Sequence, residues 1–234
     1  MGLTVETTPV VRATGLGKRF GRHWALAHFD LEVHGGEVVL LFGSNGSGKT
    51  TFLRLAAGLY KPSRGTMSVD GHDSVKERLE CRRLLTMVAH DNYLYARLTA
   101  LETLRVWARL LGSPARDSDL VPLLEEVGLA ERRRLPVGGF SAGMKKRLTL
   151  LRTRLEKPKI VLLDEPFSAL DVAGQDLVEG WVERFREEGR TVIMASHNLP
   201  RATKLCDRAI ALEQGQNVWS GSGSELVERE AKAS

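Results

Sequence analysis

Residues 43–51 have the residue types and the spacing that phosphate binding requires. The stretch is Gly-Ser-Asn-Gly-Ser-Gly-Lys-Thr-Thr and fits the pattern G-x-x-x-x-G-K-[ST]. Glycines let backbone N–H groups approach phosphate oxygens closely, the Lys49 ammonium can reach the β and γ phosphates, and the Thr50 hydroxyl can bind Mg²⁺. The pattern therefore predicts a site for ATP or GTP with Mg²⁺. The residues expected to contact the nucleotide are Gly43, Ser44, Asn45, Gly46, Ser47, Gly48, Lys49, Thr50 and Thr51.

The segments on either side of this loop supply the context that the pattern needs. Residues 37–42 form a short apolar, β-branched run that is typical of a buried strand. Residues 51–57 have the composition of a helix that Gly58 ends. A strand, a glycine-rich loop and a helix N-terminus together direct N–H groups and the positive end of the helix dipole at one anion.

Two further predicted strands end in residues that could perform the chemistry. Residues 160–165 are an apolar run that ends in Asp164 and Glu165, and residues 191–195 are a second such run, which His197 follows. Phosphoryl transfer to water needs a cation on the β and γ oxygens and a positioned water molecule. Asp164 suits the Mg²⁺ role, through a coordinated water, and Glu165 is the candidate general base. His197 could hold the γ-phosphate or the water.

These residues need a sheet that brings them to one edge. Strands that alternate with helices predict a mostly parallel sheet, whose ligands bind at the carboxyl ends of the strands. Upstream, residues 10–40 contain short strand-like runs broken by glycines, which predict an antiparallel sheet, and residues 62–73 predict a turn and a hairpin. The expected fold class is therefore α/β.

Between about residues 88 and 155 the pattern changes to helices. Thr99 with Glu102 forms a capping box at the start of one helix, and Ser141 can cap another. The apolar positions of that second helix are Met144, Leu148, Leu151 and Leu155. These helices predict a lobe that is inserted into the α/β domain.

Size and composition limit the class of protein. The 234 residues suit one large domain, or one domain with an inserted lobe. No apolar run approaches the roughly 20 residues of a membrane-spanning helix and the N-terminus lacks the layout of a signal peptide, so a cytosolic chain is expected. A net charge of +5 would suit nucleic acid or an anionic membrane surface, but solvated helix faces explain it equally well. Cys81 and Cys206 are expected to be reduced structural thiols.

Two more stretches suggest contacts with a nucleotide. Phe20 stands next to Gly21 and could either stack on a purine base or belong to the core. Residues 140–144 place a serine and small residues at a helix N-terminus, which is a second anion-binding arrangement. A phosphate loop and a second anion site that cannot reach it suggest that another molecule completes each site.

Together and in this order, the motifs resemble the nucleotide-binding subunit of an ABC transporter, and the resemblance extends from about residue 14 to residue 222. Phe20 is similar to the family's adenine-stacking aromatic, which narrows the expected nucleotide to ATP. Residues 43–51 match the Walker A loop, and residues 160–165 match Walker B with its catalytic glutamate. The remaining matches are the LSGGQ signature at residues 140–144, the D-loop at residues 168–171 and the switch histidine at His197.

The resemblance implies a fold in detail. It is a P-loop NTPase (RecA-like) core with a mostly parallel sheet, an N-terminal antiparallel β subdomain and an inserted α-helical subdomain. The helical subdomain is expected at about residues 89–156, within a single ABC ATPase domain that covers residues 1–234.

The resemblance also implies partners. Two copies of the subunit would pack head to tail around two ATP molecules, with the signature of one facing the γ-phosphate that the other holds. The residues of the signature that would contact this ATP are Ser141, Ala142, Gly143 and Met144. Separately encoded transmembrane permease subunits would complete the transporter, so the chain would be cytoplasmic and peripheral on the inner (cell) membrane. No binding of nucleic acid is expected.

The sequence departs from the family pattern in two places. The Q-loop glutamine, which in the family touches Mg²⁺ and the attacking water and links the two lobes, is absent. His90 or Asp91 stands at its position, depending on one gap. Asp91 is favoured, since a carboxylate could accept a bond from the water or ligate Mg²⁺. The signature ends in Met144 in place of glutamine, which removes one polar contact.

A finer resemblance concerns the cargo. Residues 89–95 and 98–104 look like the ATPase of the haem exporter that serves cytochrome c maturation, and Ser141-Ala142-Gly143 is similar to that group too. Haem export, and with it cytochrome c biogenesis, is therefore an expectation.

Two other classes of function remain open from the sequence. A soluble ABC-type ATPase, for example one that acts in iron–sulfur cluster assembly, would hydrolyse ATP without driving transport. An ATP-binding regulator without turnover would require that Glu165 is inert.

Overall fold

Two β-sheets organise the computed structural model, which describes residues 8–89 and 94–233. In chain order the strands are β1 (Val11–Phe20), β2 (His23–Val33), β3 (Val38–Phe42), β4 (Arg64–Val69), β5 (His72–Asp73), β6 (Leu85–Val88), β7 (Ile160–Asp164), β8 (Thr191–Ala195), β9 (Arg208–Glu213) and β10 (Gln216–Ser222). One sheet is antiparallel and has the order β2-β1-β4-β5. This sheet confirms two predictions from the sequence: the antiparallel strands within residues 10–40 and the hairpin within residues 62–73.

The other sheet has the order β10-β9-β3-β8-β7-β6 and is parallel except at β10, which pairs antiparallel with β9. Every residue of β3, β7 and β8 is buried, as expected for strands that are covered on both faces. Because parallel strands end at one edge, the loop after β3 lies near the ends of β7 and β8. The predicted mostly parallel sheet is confirmed.

Helices connect these strands. In chain order they are α1 (Lys49–Ala56), α2 (Arg78–Leu84), α3 (Ala100–Leu110), α4 (Asp117–Glu126), α5 (Ala142–Leu150), α6 (Arg152–Glu156), α7 (Val172–Glu187), α8 (Leu199–Leu205) and α9 (Gly223–Ala233), with short 3₁₀ turns at Ala130–Arg132 and Val137–Gly139. Helix α1 begins at Lys49 rather than at Thr51, so the lysine belongs to its first turn. Over residues 8–89 and 94–233, no helix combines the length and the apolar composition that crossing a membrane requires.

Apolar side chains on the two faces of the parallel sheet form two core clusters. Along β3, alternate residues face opposite clusters, as the pleat of a strand dictates. The cluster that contains Leu40 also contains buried leucines of α3, α4 and α5. The helices that follow β6 therefore share a continuous core with the sheet.

Capping side chains set the starts of two of these helices. The Thr99 hydroxyl accepts a hydrogen bond from the Glu102 amide at 3.2 Å, and the Glu102 carboxylate accepts one from the Thr99 amide at 2.8 Å. The Ser141 hydroxyl accepts from the Met144 amide at 3.2 Å and caps α5. Both caps confirm the sequence prediction.

The prediction of one continuous helix after Ser141 is wrong, because the chain divides at Leu151 into α5 and α6. The Leu151 amide donates to the carbonyl of Leu148 at 3.1 Å, three residues back instead of four. The Thr153 hydroxyl donates to the Leu150 carbonyl at 2.7 Å. Such local hydroxyl bonds compete with the helical ladder, and apolar periodicity does not reveal them.

The two cysteines are both buried and both have free thiols. Burial raises the pKa of Cys206 to about 11 and also raises the pKa of Cys81. Both side chains are therefore neutral thiols of low reactivity.

Candidate functional site

The phosphate loop lies between the end of β3 and the start of α1. Gly43 has a φ of 141° and Gly48 a φ of 110°, which are conformations that residues with side chains rarely adopt. A Cβ at Gly43 would overlap the Leu212 carbonyl oxygen, and one at Gly48 would overlap the Ala25 carbonyl oxygen. Only glycine fits these two positions, because the loop lies directly against β9 and β2.

The turn between β9 and β10 supports the loop from behind. The Gly215 amide donates to the Ser47 carbonyl at 3.0 Å, and the Ala27 amide donates to the Gly215 carbonyl at 2.8 Å. Ser47 is buried, and its hydroxyl has no hydrogen-bond partner in the described part of the chain. Gly43 and Ser44 line a small cavity of about 300 Å³ between the loop and this turn.

The Lys49 ammonium lies within the loop. Its Nζ donates to the carbonyl oxygens of Gly43 at 2.7 Å and Ser44 at 3.0 Å. Burial lowers the pKa of Lys49, while the negative charges of Glu165 and Asp164 act in the opposite direction. Phosphate oxygens carry more charge than backbone carbonyls, so this cation would bind them more strongly.

Thr50 and Asp164 form a candidate metal site. The Thr50 hydroxyl donates to Oδ1 of Asp164 at 2.9 Å. Oδ2 of Asp164 is buried and has no hydrogen-bond partner among residues 8–89 and 94–233. Burial raises the pKa of Asp164, against the Thr50 hydrogen bond and the positive charge of Lys146, which lower it. A buried carboxylate oxygen without a partner, beside a hydroxyl oxygen, is a donor set that suits Mg²⁺.

Glu165 and His197 face each other at the same edge of the sheet. Glu165 has a φ of 50°, a strained conformation for a residue with a side chain, and its amide donates to the Ala195 carbonyl at 2.8 Å. Its Oε2 lies 2.8 Å from Nδ1 of His197 and 3.3 Å from the His197 amide, which donates to it. The Glu165 side chain is 16% exposed and that of His197 is 66% exposed. The carboxylate is thus held in place and is still accessible to water.

A cavity of about 580 Å³ brings these residues together. Its lining is Phe20, His23, Ala25, Asn45, Gly46, Gly48, Lys49, Thr50, Thr51, Arg54, Asp164, Glu165 and His197. Phe20 is 43% exposed, and its ring packs edge to face on Tyr60 with 5.3 Å between the centroids. One cavity therefore combines an aromatic surface, a phosphate loop, a metal-binding pair and a carboxylate that can act on water.

Sequence reasoning missed three residues of this lining, which are His23, Ala25 and Arg54. Arg54 lies one helical turn after Thr50, so the i, i+4 spacing was a usable signal. Its guanidinium donates to the Tyr60 hydroxyl at 3.1 Å. The two residues of β2 reach the cavity because β2 pairs with β1. The sequence predicts this antiparallel pairing but does not indicate which residues of β2 face the cavity.

The predicted signature residues 141–144 do not line this cavity. Ser141 and Ala142 are exposed at the start of α5. Met144 is buried, and its sulfur accepts a hydrogen bond from the Arg132 guanidinium at 3.2 Å. We call residues 141–144 at the start of α5 the serine turn. Within the described residues, the serine turn and the phosphate loop do not line the same cavity.

The turn after Glu165 packs on the serine turn. Ala169 has a φ of 61°. A Cβ added to Gly143 would lie 2.7 Å from the Ala169 carbonyl oxygen, so helix α5 and this turn are in close backbone contact. Asp171 ends the turn and caps α7. Residues 165–171 thus connect the carboxylate site to the start of α5.

The residues expected at the Q-loop position, His90 and Asp91, lie outside the described residues. The strand that leads to them, β6, ends at Val88 beside Leu163 of β7. Because β7 ends at Asp164, the chain enters this segment next to the metal-binding pair. The role of Asp91 stays a prediction.

Known proteins resemble this chain over most of its length. The family model described as ABC transporter matches residues 26–168. The chain is 33% identical, over 209 residues, to the ABC transporter ATP-binding protein NatA of Bacillus subtilis, which covers 88% of this chain and 85% of that protein. It is 33% identical to the Nod factor export ATP-binding protein I of Burkholderia lata over 215 residues, or 91% of this chain and 71% of that protein.

Solved structures share the fold. One, described as the ATP-binding subunit of an ABC transporter, has a TM-score of 0.84 and 27% identity, with 95% of this chain and 93% of that chain covered. Another, a dimeric ATP-binding cassette in a post-hydrolysis state bound to ADP and Pi, has a TM-score of 0.82 and 24% identity. The second comparison covers 91% of this chain and 98% of the other.

Proposed function

This chain belongs to the ABC transporter family of ATP-binding proteins, and we propose that it is the ATP-hydrolysing subunit of a transporter whose membrane-spanning part is a separate protein. Members of the family bind and hydrolyse ATP. One observation carries the assignment of residues: Lys49, Thr50, Asp164 and Glu165 all line one cavity. The whole chain acts as a single ABC ATPase domain, with a helical subdomain inserted at about residues 89–156.

ATP is expected to lie in this cavity with its triphosphate on residues 43–51. Backbone N–H groups of the loop and the Lys49 ammonium bind the phosphates. Phe20 stacks on the adenine, where aromatic stacking contributes about 1 kcal/mol beyond burial. Tyr60 supports the Phe20 ring by its edge-to-face contact.

Glu165 acts as general base towards the attacking water. The hydrogen bond from the His197 amide fixes Oε2, and the Nδ1 contact at 2.8 Å orients the same oxygen. The carboxylate then accepts the proton that the water releases as it attacks the γ-phosphate. His197 is a positioning group for this carboxylate and for the γ-phosphate.

Mg²⁺ is expected at Thr50 and Asp164, with Asp91 as a further ligand. The bound ion would neutralise charge on the β and γ oxygens. Thr50 would supply its hydroxyl oxygen, and Asp164 would act through a coordinated water bound to its buried Oδ2, which has no hydrogen-bond partner among the described residues.

Two copies of the chain are expected to form a head-to-tail dimer. Ser141 and Ala142 are exposed and lie outside the chain's own cavity, so a second copy is the natural source of a nucleotide for them. In that arrangement Ser141–Met144 of one copy faces the γ-phosphate that the other copy holds. A solved structure with the same fold is dimeric, which supports this assembly.

The membrane partner is expected at a groove next to residue 89. This groove has a volume of about 610 Å³ and runs between α2, β6 and the start of α6. Leu59 and Leu111, both exposed, line it together with Arg82 and Arg83. Apolar side chains beside cations suit an amphipathic segment with acidic residues, such as a cytoplasmic helix of a permease. The chain would then be peripheral on the cytoplasmic face of the membrane.

The transported substrate is inferred from fewer residues than the ATPase activity. Haem export in cytochrome c biogenesis stays a prediction that rests on residues 89–95 and 98–104. The relatives described above carry other names, and Nod factor export is stated of one of them alone. A soluble ABC-type ATPase, for example in iron–sulfur cluster assembly, is the less favoured alternative. Co-extraction with a membrane protein from the native host favours the transporter, whereas recovery with soluble partners alone favours the alternative.

The test of the ATPase dimer uses Glu165→Gln. This variant should bind ATP, lose turnover by about two or more orders of magnitude, and accumulate an ATP-bound dimer in size-exclusion chromatography. Glu183→Gln, at an exposed position of α7, is the matched control and should behave as wild type. Normal hydrolysis by Glu165→Gln would refute the assignment of the base.

The signature is tested by Ser141→Arg. This substitution should abolish turnover and block the dimer of Glu165→Gln, because the arginine occupies the contact surface. The ATP affinity of the monomer should be unchanged. A loss of monomer affinity would mean that the serine turn acts within its own chain.

A further inference from the structure

Helix α5 contains a buried lysine that the phosphate site does not explain. Lys146 is 2% exposed, and its ammonium donates to the carbonyl oxygens of Asp164 at 3.0 Å and Ala89 at 3.3 Å. Burial of an ammonium group is unfavourable unless hydrogen bonds replace those to water. A leucine or methionine would fill such a site without that penalty, so the hydrogen bonds are the specific contribution of the lysine.

Burial and nearby charges have opposite effects on the pKa of the Lys146 ammonium. Burial lowers the pKa of Lys146 to about 8, and the negative charges of Asp164 and Glu165 oppose this shift. The hydrogen bonds themselves go to backbone carbonyls and not to these carboxylates. The ammonium therefore binds the backbone of the strand ends and leaves the carboxylate oxygens available.

The two carbonyls belong to the ends of neighbouring strands. Asp164 is the last residue of β7, and Ala89 directly follows β6, which pairs in parallel with β7. One ammonium group thus joins three segments: the strand that carries the metal-binding carboxylate, the strand that leads into the helical subdomain, and helix α5. The start of that helix is the serine turn.

The end of β7 and the start of α5 are supported in different ways: strand pairing holds the first, and packing of Gly143 on the Ala169 carbonyl and of the buried Met144 holds the second. The end of β7 is fixed by the sheet, since Asp164 pairs with Ala195 and the Glu165 amide donates to the same residue. By contrast, Ser141 and Ala142 at the start of α5 are exposed. Loss of the lysine bonds would therefore shift the helix and leave the strand edge in place.

We propose that Lys146 is a positioning residue that fixes the serine turn relative to the strand edge, so that the turn can reach the nucleotide held by a second subunit. This inference rests on the proposed head-to-tail dimer. It makes the serine turn of each subunit part of the same rigid unit as that subunit's own carboxylates. Lys146 thereby adds a side-chain link to the backbone contact between Gly143 and Ala169, which already joins α5 to the turn after β7.

Three variants test the hydrogen bonds. Lys146→Met removes the donors but keeps the length and an apolar fit, so folding is retained. Lys146→Met should lower turnover by about tenfold or more, because moving the serine turn by about 1 Å is enough to cause such a loss. Lys146→Gln keeps a donor without the charge and should recover part of the turnover. Lys145→Met is the matched control, since the ammonium of this partly buried neighbour donates to the Gly138 carbonyl at 3.3 Å and, among the described residues, to neither strand end.

Two further readouts separate positioning from general destabilisation. The ATP affinity of Lys146→Met, measured with a fluorescent ATP analogue, should stay within about twofold of wild type, because Lys146 does not line the cavity. Its thermal midpoint should be no lower than that of Lys145→Met, because methionine carries no burial penalty for a charge. Unchanged turnover in Lys146→Met, or a loss of ATP affinity equal to the loss of turnover, would overturn the inference.

Mixed dimers locate the defect. In a mixed dimer of Lys146→Met and Lys49→Ala, one of the two sites is intact. The Lys146→Met subunit supplies its phosphate loop and strand edge to that site, and the Lys49→Ala subunit supplies its serine turn. Turnover should therefore recover in part. Ser141→Ala removes the serine hydroxyl without adding bulk at the contact surface, and it should lower turnover on its own. Mixed with Lys49→Ala, it is the reference and should recover to the same degree.

The two possible failures are distinct. If the reference mixture does not recover, the head-to-tail dimer is wrong. If the reference recovers and Lys146→Met does not, the lysine acts on its own strand edge and the inference is wrong.

Discussion

Asp164, the proposed Mg²⁺ residue, is a buried carboxylate that lowers the stability of the fold. It is 1% exposed, one oxygen accepts from Thr50, and the other has no partner among the described residues. Burial raises its pKa, which means that the folded protein binds a proton there more tightly than the unfolded chain does. The ionised form that metal binding needs is therefore unfavourable for the fold.

We predict that Asp164→Asn stabilises the protein without nucleotide at neutral pH. Above the raised pKa, wild type carries the full penalty of a buried carboxylate, and asparagine carries none. As pH falls through the interval between the raised pKa and the ordinary one, wild type becomes protonated and the advantage of asparagine disappears. Thermal midpoints measured from about pH 4 to pH 8 test this sign.

The same variant should lose turnover by about 10- to 100-fold, since the ligand set for the ion is weakened. Asp176→Asn is the control, because that exposed carboxylate pairs with Arg201 at 2.8 Å and has no role in the cavity. A midpoint for Asp164→Asn below that of wild type at neutral pH would contradict the argument.

Site residues could be predicted where their signal is local. The phosphate loop and the pair Asp164-Glu165 are adjacent in sequence and follow apolar strands, so their chemistry is evident from a few residues. Arg54 could have been found from its i, i+4 spacing to Thr50, whereas Lys146 could not, because its role depends on contacts with two strand ends far from it in the sequence. Charged residues on predicted helices are usually solvated, and burial of one of them is a tertiary property.

At the scale of elements, close backbone packing joins helix α5 to the turn after β7. Gly143 lies in the first turn of α5, where a Cβ would meet the Ala169 carbonyl at 2.7 Å. Ala169 already has a φ of 61°, so this turn has little freedom to move away. Contact between the two elements therefore depends on the absence of one side chain.

We predict that Gly143→Ala lowers turnover by about tenfold, because it separates α5 from the turn. Alanine is the better helix former, so helix propensity alone would predict the opposite effect. Gly139→Ala is the matched control, since a Cβ there meets nothing within 4 Å. The test measures steady-state ATP turnover and, separately, ATP affinity. Normal turnover in Gly143→Ala would refute the packing argument.

Elements could be predicted from the sequence to different degrees. β3, β7 and β8 are five-residue runs of buried residues, and apolar runs of that length are a strong signal. The break at Leu151 was not predicted, because the apolar stripe continues across it. The two-residue strand β5 forms part of the expected hairpin, yet its length depends on pairing with β4 and not on its own residues.

At the scale of the whole molecule, ion pairs connect the helical subdomain to the end of α7. The Arg190 side chain is 13% exposed, lies 2.6 Å from Glu188, and donates to the Thr153 carbonyl of α6 at 3.2 Å. Arg184 is 43% exposed and lies 3.8 Å from Glu126 of α4. The first contact is largely excluded from water and the second is not.

We predict that Arg190→Met destabilises the protein by about 2 kcal/mol, because it leaves the Thr153 carbonyl of a buried residue without its donor and removes one of the two arginines that pair with Glu188. Arg184→Met should cost less than about 1 kcal/mol, as exposed pairs do. In a chain of this size 1 kcal/mol shifts the thermal midpoint by about 2 to 4 °C. Equal shifts in the two variants would show that burial does not control this connection.

The backbone at Glu165 has a consequence for how the gene can change. With a φ of 50°, this position favours glycine over any residue with a side chain by about 1 kcal/mol. A single base change converts a glutamate codon to a glycine codon, so a mutation that removes the proposed general base would also relieve backbone strain. Folding alone gives no protection to this glutamate. A duplicated copy of the gene that is released from selection for hydrolysis should therefore lose the carboxylate early and still encode a folded chain that binds ATP.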